Sequence, residues 1–313
     1  MKIKSIFMIM AVFAATACED FMDPASRSTF DTNYVFSNVE DARKTVNGIY
    51  THLSQDAFTS RLSNNFTGNT DIEHASGWNG SGARYEIWNL NATPANADLG
   101  IVWTYAYRAI RDANICIEGI LASPVLDSSD ALISSQMYHL LGEAYTLRAY
   151  WYSMLIYYFG DVPFIKLAPK AGNDFRLPKE DRNVILSAVI QDMIDIEAKM
   201  LWADQVPYGI EQVNREYTLG MIARLALQRG GYYLKPDMSQ ARESDYLEYY
   251  QIAKDYTAKL MALKDRPLTD FRQVFMNQNK FLSPTNQDVL FEVPFSLGRG
   301  DVGWNIGITV QAG

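Results

Sequence analysis

The sequence has few of the residues that build metal centres, disulfide frameworks and nucleic-acid interfaces. Its 313 residues include two cysteines and three histidines. The histidines (His52, His74 and His139) lie on separate predicted elements and no C-x-x-C pair occurs, so the sequence indicates no zinc site. Lys and Arg number 28 against 36 Asp and Glu, the formal net charge is -8, and no basic run occurs. Such a chain lacks the clustered cations that nucleic-acid binding requires.

Long apolar runs are also absent after the N-terminus, and the one run there is too short to cross a bilayer. Two lysines precede an apolar stretch at residues 6–15, and two small residues follow it, in the order of a secretion signal. Cys18 stands at the cleavage point within A-T-A-C-E-D-F, which predicts a bacterial lipoprotein lipidated, for example with palmitate, on this thiol. The alternative is a secreted protein with a chance cysteine. We predict a signal peptide at 1–17 and an acidic tether at 18–36.

The second cysteine is predicted to be structural. With Cys18 lipidated, Cys116 has no disulfide partner. It lies inside an apolar helical pattern, which favours a buried free thiol over a reactive site.

Helical periodicity dominates the rest of the chain and predicts a mainly α fold. Apolar residues at three- and four-residue steps indicate helices at about 37–53, 101–121, 131–159, 181–202, 216–234 and 244–263. Ser37 and Glu40 form a capping-box pair at the first start, and Gly160 with Pro163 ends the longest helix. The alternating run D-V-L-F-E-V-P-F at 288–295 predicts one edge strand.

The successive helices resemble the antiparallel pairs of a tetratricopeptide array. The last two helices carry small and aromatic residues of the kind that nest neighbouring helices. These are Gly220, Ala223, Leu227, Tyr232, Ala253 and Ala258. We therefore expect a tetratricopeptide-like helical repeat scaffold with long irregular loops and a little β-structure.

A polar segment interrupts this pattern and predicts a loop-rich insertion at about 60–100, because residues 60–96 are rich in Asn, Gly, Ser and Thr and lose the helical period. Flat aromatic faces that stack on sugar rings, flanked by polar groups, are typical of carbohydrate sites. The insertion supplies such a set: Asp71, Trp78, Asn79, Arg84 and Trp88. Trp78, within S-G-W-N-G, is the strongest candidate, whereas Trp88 has apolar neighbours that favour the core. Trp304, in a glycine-rich loop, is a further candidate platform.

The remaining tryptophans and one buried arginine are predicted to serve packing. Trp103, Trp151 and Trp202 lie on predicted helical faces. Arg148 lies inside an otherwise apolar helix, and an unpaired buried guanidinium is costly. We therefore expect Arg148 to be a paired structural charge.

Two motifs resemble a cofactor site and a catalytic site but lack residues that those sites require. The G-x-G-x-x-G at 298–303 follows the predicted strand but lacks the helix and the later acidic residue of a dinucleotide site, so no cofactor is predicted. Asp71 and Glu73 are two residues apart on one loop, which does not establish the opposed carboxylates of a glycosidase. Catalysis is therefore not predicted.

Several segments, in order, resemble those of SusD/RagB-type proteins, the surface glycan-binding lipoproteins of Bacteroidota. They are C-E-D-F-M-D after the signal, V-E-D-A…N-G-I-Y in the first helix, W-x-x-x-Y-x-x-I-x-x-x-N at 103–114, L-G-E-A-Y-T-L-R-A-Y-W-Y-S-M-L-I-Y-Y-F-G-D-V-P at 141–163, A-R-L-A at 223–226 and N-Q-D-V-L-F-E-V-P-F at 286–295. Residues 37–313 thus resemble the N-terminal portion of a SusD-like helical domain. Because family members are usually much longer, the chain resembles a C-terminally truncated member.

The resemblance implies a non-enzymatic lipoprotein on the extracellular side of the outer membrane. It would capture oligosaccharides and deliver them to a SusC-like TonB-dependent transporter beneath it. Two alternatives stay open on the residues alone. One is a tetratricopeptide-type lipoprotein that binds peptide or other non-glycan cargo, and the other is a lipid-anchored hydrolase.

Overall fold

The computed structural model describes residues 32–55, 70–71 and 80–296, and within these ranges the protein is mainly helical. The predicted signal, Cys18 and most of the tether lie outside the described residues. The α-helices are α1 (Thr32–Val35), α2 (Val39–Tyr50), α3 (Ala83–Trp88), α4 (Ala97–Leu121), α5 (Ala131–Phe159), α6 (Arg182–Ile196), α7 (Arg215–Gly230), α8 (Tyr246–Leu263) and α9 (Phe271–Asn279). A two-stranded antiparallel hairpin pairs β1 (Tyr233–Leu234) with β2 (Gln240–Ala241).

Helix α2 begins at a different cap from the predicted one. The Asn38 side chain accepts a hydrogen bond from the Asp41 backbone N–H at 2.9 Å, which satisfies one of the free donors of the first turn. Ser37 instead donates to the Tyr34 backbone oxygen at 2.7 Å. The predicted Ser37–Glu40 capping box is therefore wrong, because Asn38, one residue later, competes as the cap.

Helix α5 is the centre of the fold and has its predicted bounds. The Asp130 side chain caps its start. Gly160 ends it with a backbone φ of 75°, a value that residues other than glycine rarely adopt. The residues predicted to be buried all round the helix are buried: Met137, Leu140, Leu141, Ala144, Leu147, Trp151, Tyr152, Leu155 and Ile156. Helices α2, α4, α6 and α7 pack around it. A helix covered on so many sides must be apolar on most of its surface.

Helices α4 and α5 form one packed pair, and α7 and α8 form a second. This arrangement confirms the tetratricopeptide-like scaffold. The predicted nesting residues behave unequally: Ala223 and Ala253 are buried, but Leu227, Tyr232 and Ala258 are exposed. The latter three were wrongly predicted to nest: Leu227 and Ala258 lie on exposed faces of α7 and α8, and Tyr232 lies beyond the end of α7 at Gly230.

Helices α6 and α7 end earlier than predicted. Helix α6 stops at Ile196, where the chain tightens into a 3₁₀ turn at Glu197–Lys199. Trp202 therefore lies in the following connection rather than on a helical face. Helix α7 stops at Gly230, because a second glycine follows and the chain enters the β1–β2 hairpin.

The predicted strand at 288–295 is also a correction. The segment has no strand assignment, and within the described residues its one backbone hydrogen bond to another element runs from the Glu292 N–H to the Ile210 oxygen, at 2.9 Å. Its apolar side chains pack on helices instead: the Phe291 ring lies 4.6 Å from that of Tyr217 and 6.5 Å from that of Tyr50. The alternation of apolar and polar residues at 288–295 therefore reflects an extended segment that packs on helices rather than a strand of a sheet.

Candidate functional site

The residues predicted to bind carbohydrate are only partly within the described chain. Trp78, Asn79 and Trp304 lie outside it, as does Glu73. Asp71 is described and exposed. Arg84 and Trp88 are carried by α3, a short helix inside the predicted loop-rich insertion. Their role in binding stays a prediction.

Helix α3 presents a small cluster of aromatic and cationic groups. The Tyr85 and Trp88 rings meet edge to face with centroids 5.4 Å apart, and the Arg84 guanidinium lies 5.6 Å from the Trp88 ring centre. Trp88 is half-buried, and its Nε1 has no hydrogen-bond partner among the described residues. Gly80 lies against the Tyr85 ring, where a Cβ would fall 2.3 Å from a ring carbon. The cluster is thus already internally packed.

Asn96 fixes α3 to the start of α4. Its side-chain nitrogen donates to the Ala83 backbone oxygen at 2.9 Å and to the Glu86 carboxylate at 2.8 Å. Its side-chain oxygen caps α4 by accepting from the Asp98 and Leu99 N–H groups, each at 3.1 Å. One buried amide therefore joins the insertion to the helical scaffold.

A groove of about 470 Å³ runs along α4. One wall is the helix itself, through Trp103, Thr104, Tyr107, Arg108 and Arg111. The facing wall comes from the segment after α5, through Pro163, Leu167, Pro169 and Phe175. Ile110 and Ile165 complete the lining. We call this cavity the α4 groove; its volume is in the range of small-molecule sites.

The aromatic wall of the α4 groove rests on the core. The Trp103 ring lies 5.0 Å from that of Tyr107 and 5.1 Å, edge to face, from that of Phe159. Trp103 was predicted to serve packing, and it does pack against the core. It is only half-buried, however, and also lines the groove. Trp103 and Tyr107 are thus held rigid on one side and free on the other.

The facing wall is held by hydrogen bonds to its backbone. Tyr107 donates its hydroxyl proton to the Pro163 oxygen at 2.7 Å. The Tyr152 hydroxyl donates to the Ile165 oxygen at 2.9 Å and accepts from the Ile165 N–H at 2.7 Å. Burial raises the pKa of Tyr107 and of Tyr152 far above the usual range, so both phenols keep the proton that they donate. The part of the wall at Pro163 and Ile165 is therefore fixed before any ligand arrives.

A buried polar network supports this wall from beneath. The Asn114 side-chain nitrogen donates to the Ile165 oxygen at 2.9 Å, and its side-chain oxygen accepts from Arg148 at 2.8 Å. Arg148 also pairs with Asp192, with Nη2 and Oδ2 separated by 2.7 Å. The predicted structural role of Arg148 is confirmed.

Two arginines line the α4 groove, and its lining within the described residues contains no carboxylate. Arg111 pairs with Asp112 at 2.7 Å, and Asp112 is also within 2.7 Å of His52. Burial opposes ionisation of Asp112, but the hydrogen bonds from His52 and Arg111 outweigh it, so its pKa lies below the usual value. Asp112 is therefore a charged partner of the two groups.

Sequence reasoning missed the α4 groove, although it predicted the helix that carries one of its walls. Trp103, Tyr107 and Arg111 recur at four-residue steps, a spacing that places them on one face of a helix. That signal was readable. Phe175 was not, because it lies far along the chain in a segment without periodicity.

The chain matches a family model described as starch-binding and associating with the outer membrane, SusD-like type 3, over residues 20–227. That stretch includes every residue of the α4 groove. Helices in the described residues are too short or too polar to span a membrane.

Curated SusD-like proteins match the chain at low sequence identity. SusD-like protein P25 of Formosa agariphila is 23% identical over 202 residues, which is 62% of this chain and 37% of that protein. SusD-like protein P38 of the same organism is 22% identical over 284 residues, or 87% and 48%. The chain thus spans less than half the length of these relatives.

Solved structures share the fold. A SusD homolog from Bacteroides thetaiotaomicron superposes with a TM-score of 0.71 at 18% identity, covering 87% of this chain and 49% of that one. A SusD-like carbohydrate binding protein from Bacteroides fragilis gives a TM-score of 0.56 at 16% identity, covering 75% and 42%. Both show that the helical scaffold is that of the SusD fold.

Proposed function

This chain belongs to the SusD-like family, and from that premise we propose that it binds oligosaccharides in the α4 groove. The observation that carries the proposal is the pairing of a fixed aromatic wall, Trp103 and Tyr107, with a facing wall that ends in Phe175. Phe175 is 54% exposed, so its ring is available to a ligand. A groove of about 470 Å³ has room for a few sugar rings between these walls.

The lining suits the two faces of a sugar. The ring face is apolar and stacks on aromatic side chains. The ring edge carries hydroxyl groups, for which Thr104, Arg108 and Arg111 supply hydrogen-bond donors at the open side of the groove. Because Trp103 and Tyr107 are packed on the core and the backbone at Pro163 and Ile165 is held by hydrogen bonds, these parts of the groove lose little conformational entropy on binding.

The proposed role is capture without chemistry. Glycoside hydrolysis generally uses two carboxyl groups across the scissile bond, about 5 to 10 Å apart. The α4 groove offers none within the described lining, and the nearby Asp112 is engaged by Arg111 and His52. These features support binding rather than cleavage.

The proposal also covers where the protein acts in the cell and which protein it works with. The family description supports association with the outer membrane. The signal and Cys18 support a lipid anchor, and we propose that the helical body faces the extracellular side and passes its cargo to a SusC-like TonB-dependent transporter. That Asp71, Trp78, Asn79, Arg84, Trp88 and Trp304 also contact the glycan stays part of the same proposal.

Isothermal titration of a panel of oligosaccharides against the purified chain tests the proposal. The informative variant is Phe175→Ala, which removes one aromatic wall from an exposed loop. Its matched control is Leu177→Ala, two residues away, 41% exposed and outside the groove lining. We expect affinity to fall about tenfold in Phe175→Ala, which corresponds to about 1.4 kcal/mol for the loss of one aromatic contact. An equal response of both variants would move the site away from this groove.

A peptide ligand is the competing proposal. It is favoured by the apolar side chains of Leu167, Pro169 and Phe175, which face solvent and would also accept hydrophobic side chains. Titration with apolar peptides in the same experiment separates the two. Peptide binding that Phe175→Ala weakens, together with no binding of any oligosaccharide, would favour this alternative.

A further inference from the structure

The charged side chains that line the α4 groove are all positive. The chain as a whole carries a formal charge of -8, yet the charged side chains of the described lining are Arg108 and Arg111. A cationic patch on an acidic protein is not explained by average composition. It indicates that the groove attracts anions.

The two arginines differ in their surroundings. Arg111 is neutralised by Asp112 at 2.7 Å. Arg108 lies over the Tyr105 ring, with Cζ 5.1 Å from the ring centre, and no carboxylate of the described chain lies within ion-pair distance of it. Arg108 is exposed, so it keeps its charge available for a ligand.

Other cations beside the groove are already paired. Lys166 lies 3.1 Å from Asp192, Lys170 lies 3.5 Å from Glu118, and Arg176 lies 3.0 Å from Asp174. The chain thus supplies a carboxylate to each of these neighbours and to Arg111. Among the described groups around the groove, Arg108 is the cation left for an external partner.

The position of Arg108 is suited to a charged sugar. On α4, Thr104 and Arg108 are four residues apart, and so are their preceding neighbours Trp103 and Tyr107. Residues at this spacing are neighbours, with Cβ atoms about 5–6 Å apart. Arg108 and the aromatic wall line the same groove, so a sugar stacked on that wall can present a charged ring substituent to Arg108.

We propose that the α4 groove selects acidic oligosaccharides, whose carboxylate or sulfate group pairs with Arg108 while the sugar ring stacks on Trp103. This inference rests on the proposed function and names the substrate class of the same site. A guanidinium matches the two oxygens of a carboxylate or a sulfate bidentately, which makes arginine a selective partner for either group.

A matched pair of ligands tests the inference. Tetragalacturonic acid and its fully methyl-esterified form have the same rings and differ in charge, and a sulfated galactan tetramer separates sulfate from carboxylate. We expect the acid to bind about fivefold to tenfold more tightly than the ester at low salt, as for a partly exposed charge-assisted contact. The advantage should shrink as salt is raised, because exposed charges are screened.

The variant Arg108→Gln should remove most of that preference, because affinity for the acid should fall by a larger factor than affinity for the ester, which loses only a neutral hydrogen bond. The matched control is Arg272→Gln on α9, an exposed arginine outside the groove that should change neither affinity. An unchanged unfolding midpoint verifies that both variants fold.

The outcomes separate this inference from the function beneath it. Equal binding of acid and ester together with no tighter binding of the sulfated tetramer, or a preference that persists in Arg108→Gln, overturns the acidic specificity and leaves oligosaccharide capture standing. If only the sulfated tetramer is preferred, and Arg108→Gln abolishes that preference, the anion is a sulfate. Failure of every oligosaccharide to bind overturns the proposed function, and this inference with it.

Discussion

Arg148 and Asp192 form an ion pair that joins α5 to α6, with Nη2 and Oδ2 2.7 Å apart. The arginine side chain is 1% exposed and the aspartate 17%. The same guanidinium donates to Asn114, which in turn holds the Ile165 oxygen at the wall of the α4 groove. The ion pair therefore links the stability of the scaffold to the shape of the candidate site.

Asp192→Asn should destabilise the protein by about 2 kcal/mol. Removing one partner of a fully buried pair costs about 3–5 kcal/mol, but Asp192 is partly exposed and Asn keeps one acceptor. Urea unfolding measures the loss. Asp195→Asn, the same change on an exposed position of α6, should stay within about 0.5 kcal/mol. Equal effects of the two substitutions would show that the Arg148 pair contributes nothing special.

Tyr50→Phe should cost about 2–3 kcal/mol of unfolding free energy. Tyr50 donates to the buried Glu143 carboxylate and accepts from the Val213 N–H at 3.0 Å. Burial and the Glu143 charge raise the pKa of Tyr50 well above its usual range, so it stays a donor. The substitution leaves a buried carboxylate and a backbone N–H each short of one partner.

Tyr157→Phe is the control for this change. Tyr157 lies on α5 like Glu143 but is 74% exposed, so its hydroxyl meets water in either state. Thermal or urea unfolding should show a shift within about 0.5 kcal/mol for this variant. A Tyr50→Phe protein as stable as this control would contradict the buried network.

Cys116 should resist alkylation in the folded protein. The thiol is buried, as predicted, and burial, then the charges of Asp112 and Glu143, raise its pKa to about 12. At pH 8 almost none of it is thiolate, and the thiolate is the reactive form. Mass spectrometry after iodoacetamide treatment of the mature protein should show labelling only when denaturant is present. Fast labelling under native conditions would place Cys116 at an accessible site.

Cys18→Ser should release the protein from the membrane. If the thiol carries the lipid, the variant lacks the acyl chains that hold the protein on the membrane, so the share of the protein in the soluble fraction of a bacterial host should increase. Immunoblotting of membrane and soluble fractions measures this. Continued membrane association of the variant would contradict the anchor at Cys18.

The long helices were predictable because their signals are strong and local. Helix α5 has its predicted bounds, since its apolar run is continuous and Gly160 stops it. Elements with a weaker local signal were missed: α3, the β1–β2 hairpin and α9 are short, and their residues are largely polar or exposed. The run at 288–295 was predicted to be a strand and is not one. Alternation of apolar and polar residues indicates an extended chain, but it does not indicate whether that chain pairs with another strand.

The candidate site was predictable only on its helical side. Trp103 and Tyr107 share a face of α4 by simple spacing. The facing wall depends on Tyr152 and Asn114 holding the backbone at Ile165, contacts that join positions 13 and 51 residues apart. No local pattern encodes such pairings. The sequence drew attention to the insertion instead, where aromatic and polar residues cluster without a partner surface being visible.

The most direct test of the central claim is a crystal structure of the chain with the oligosaccharide that binds most tightly in the panel. The account predicts sugar density in the α4 groove, with a ring stacked between Trp103 and Phe175 and a polar group beside Arg108. Density on the α3 surface near Arg84 and Trp88, with the α4 groove empty, would contradict it.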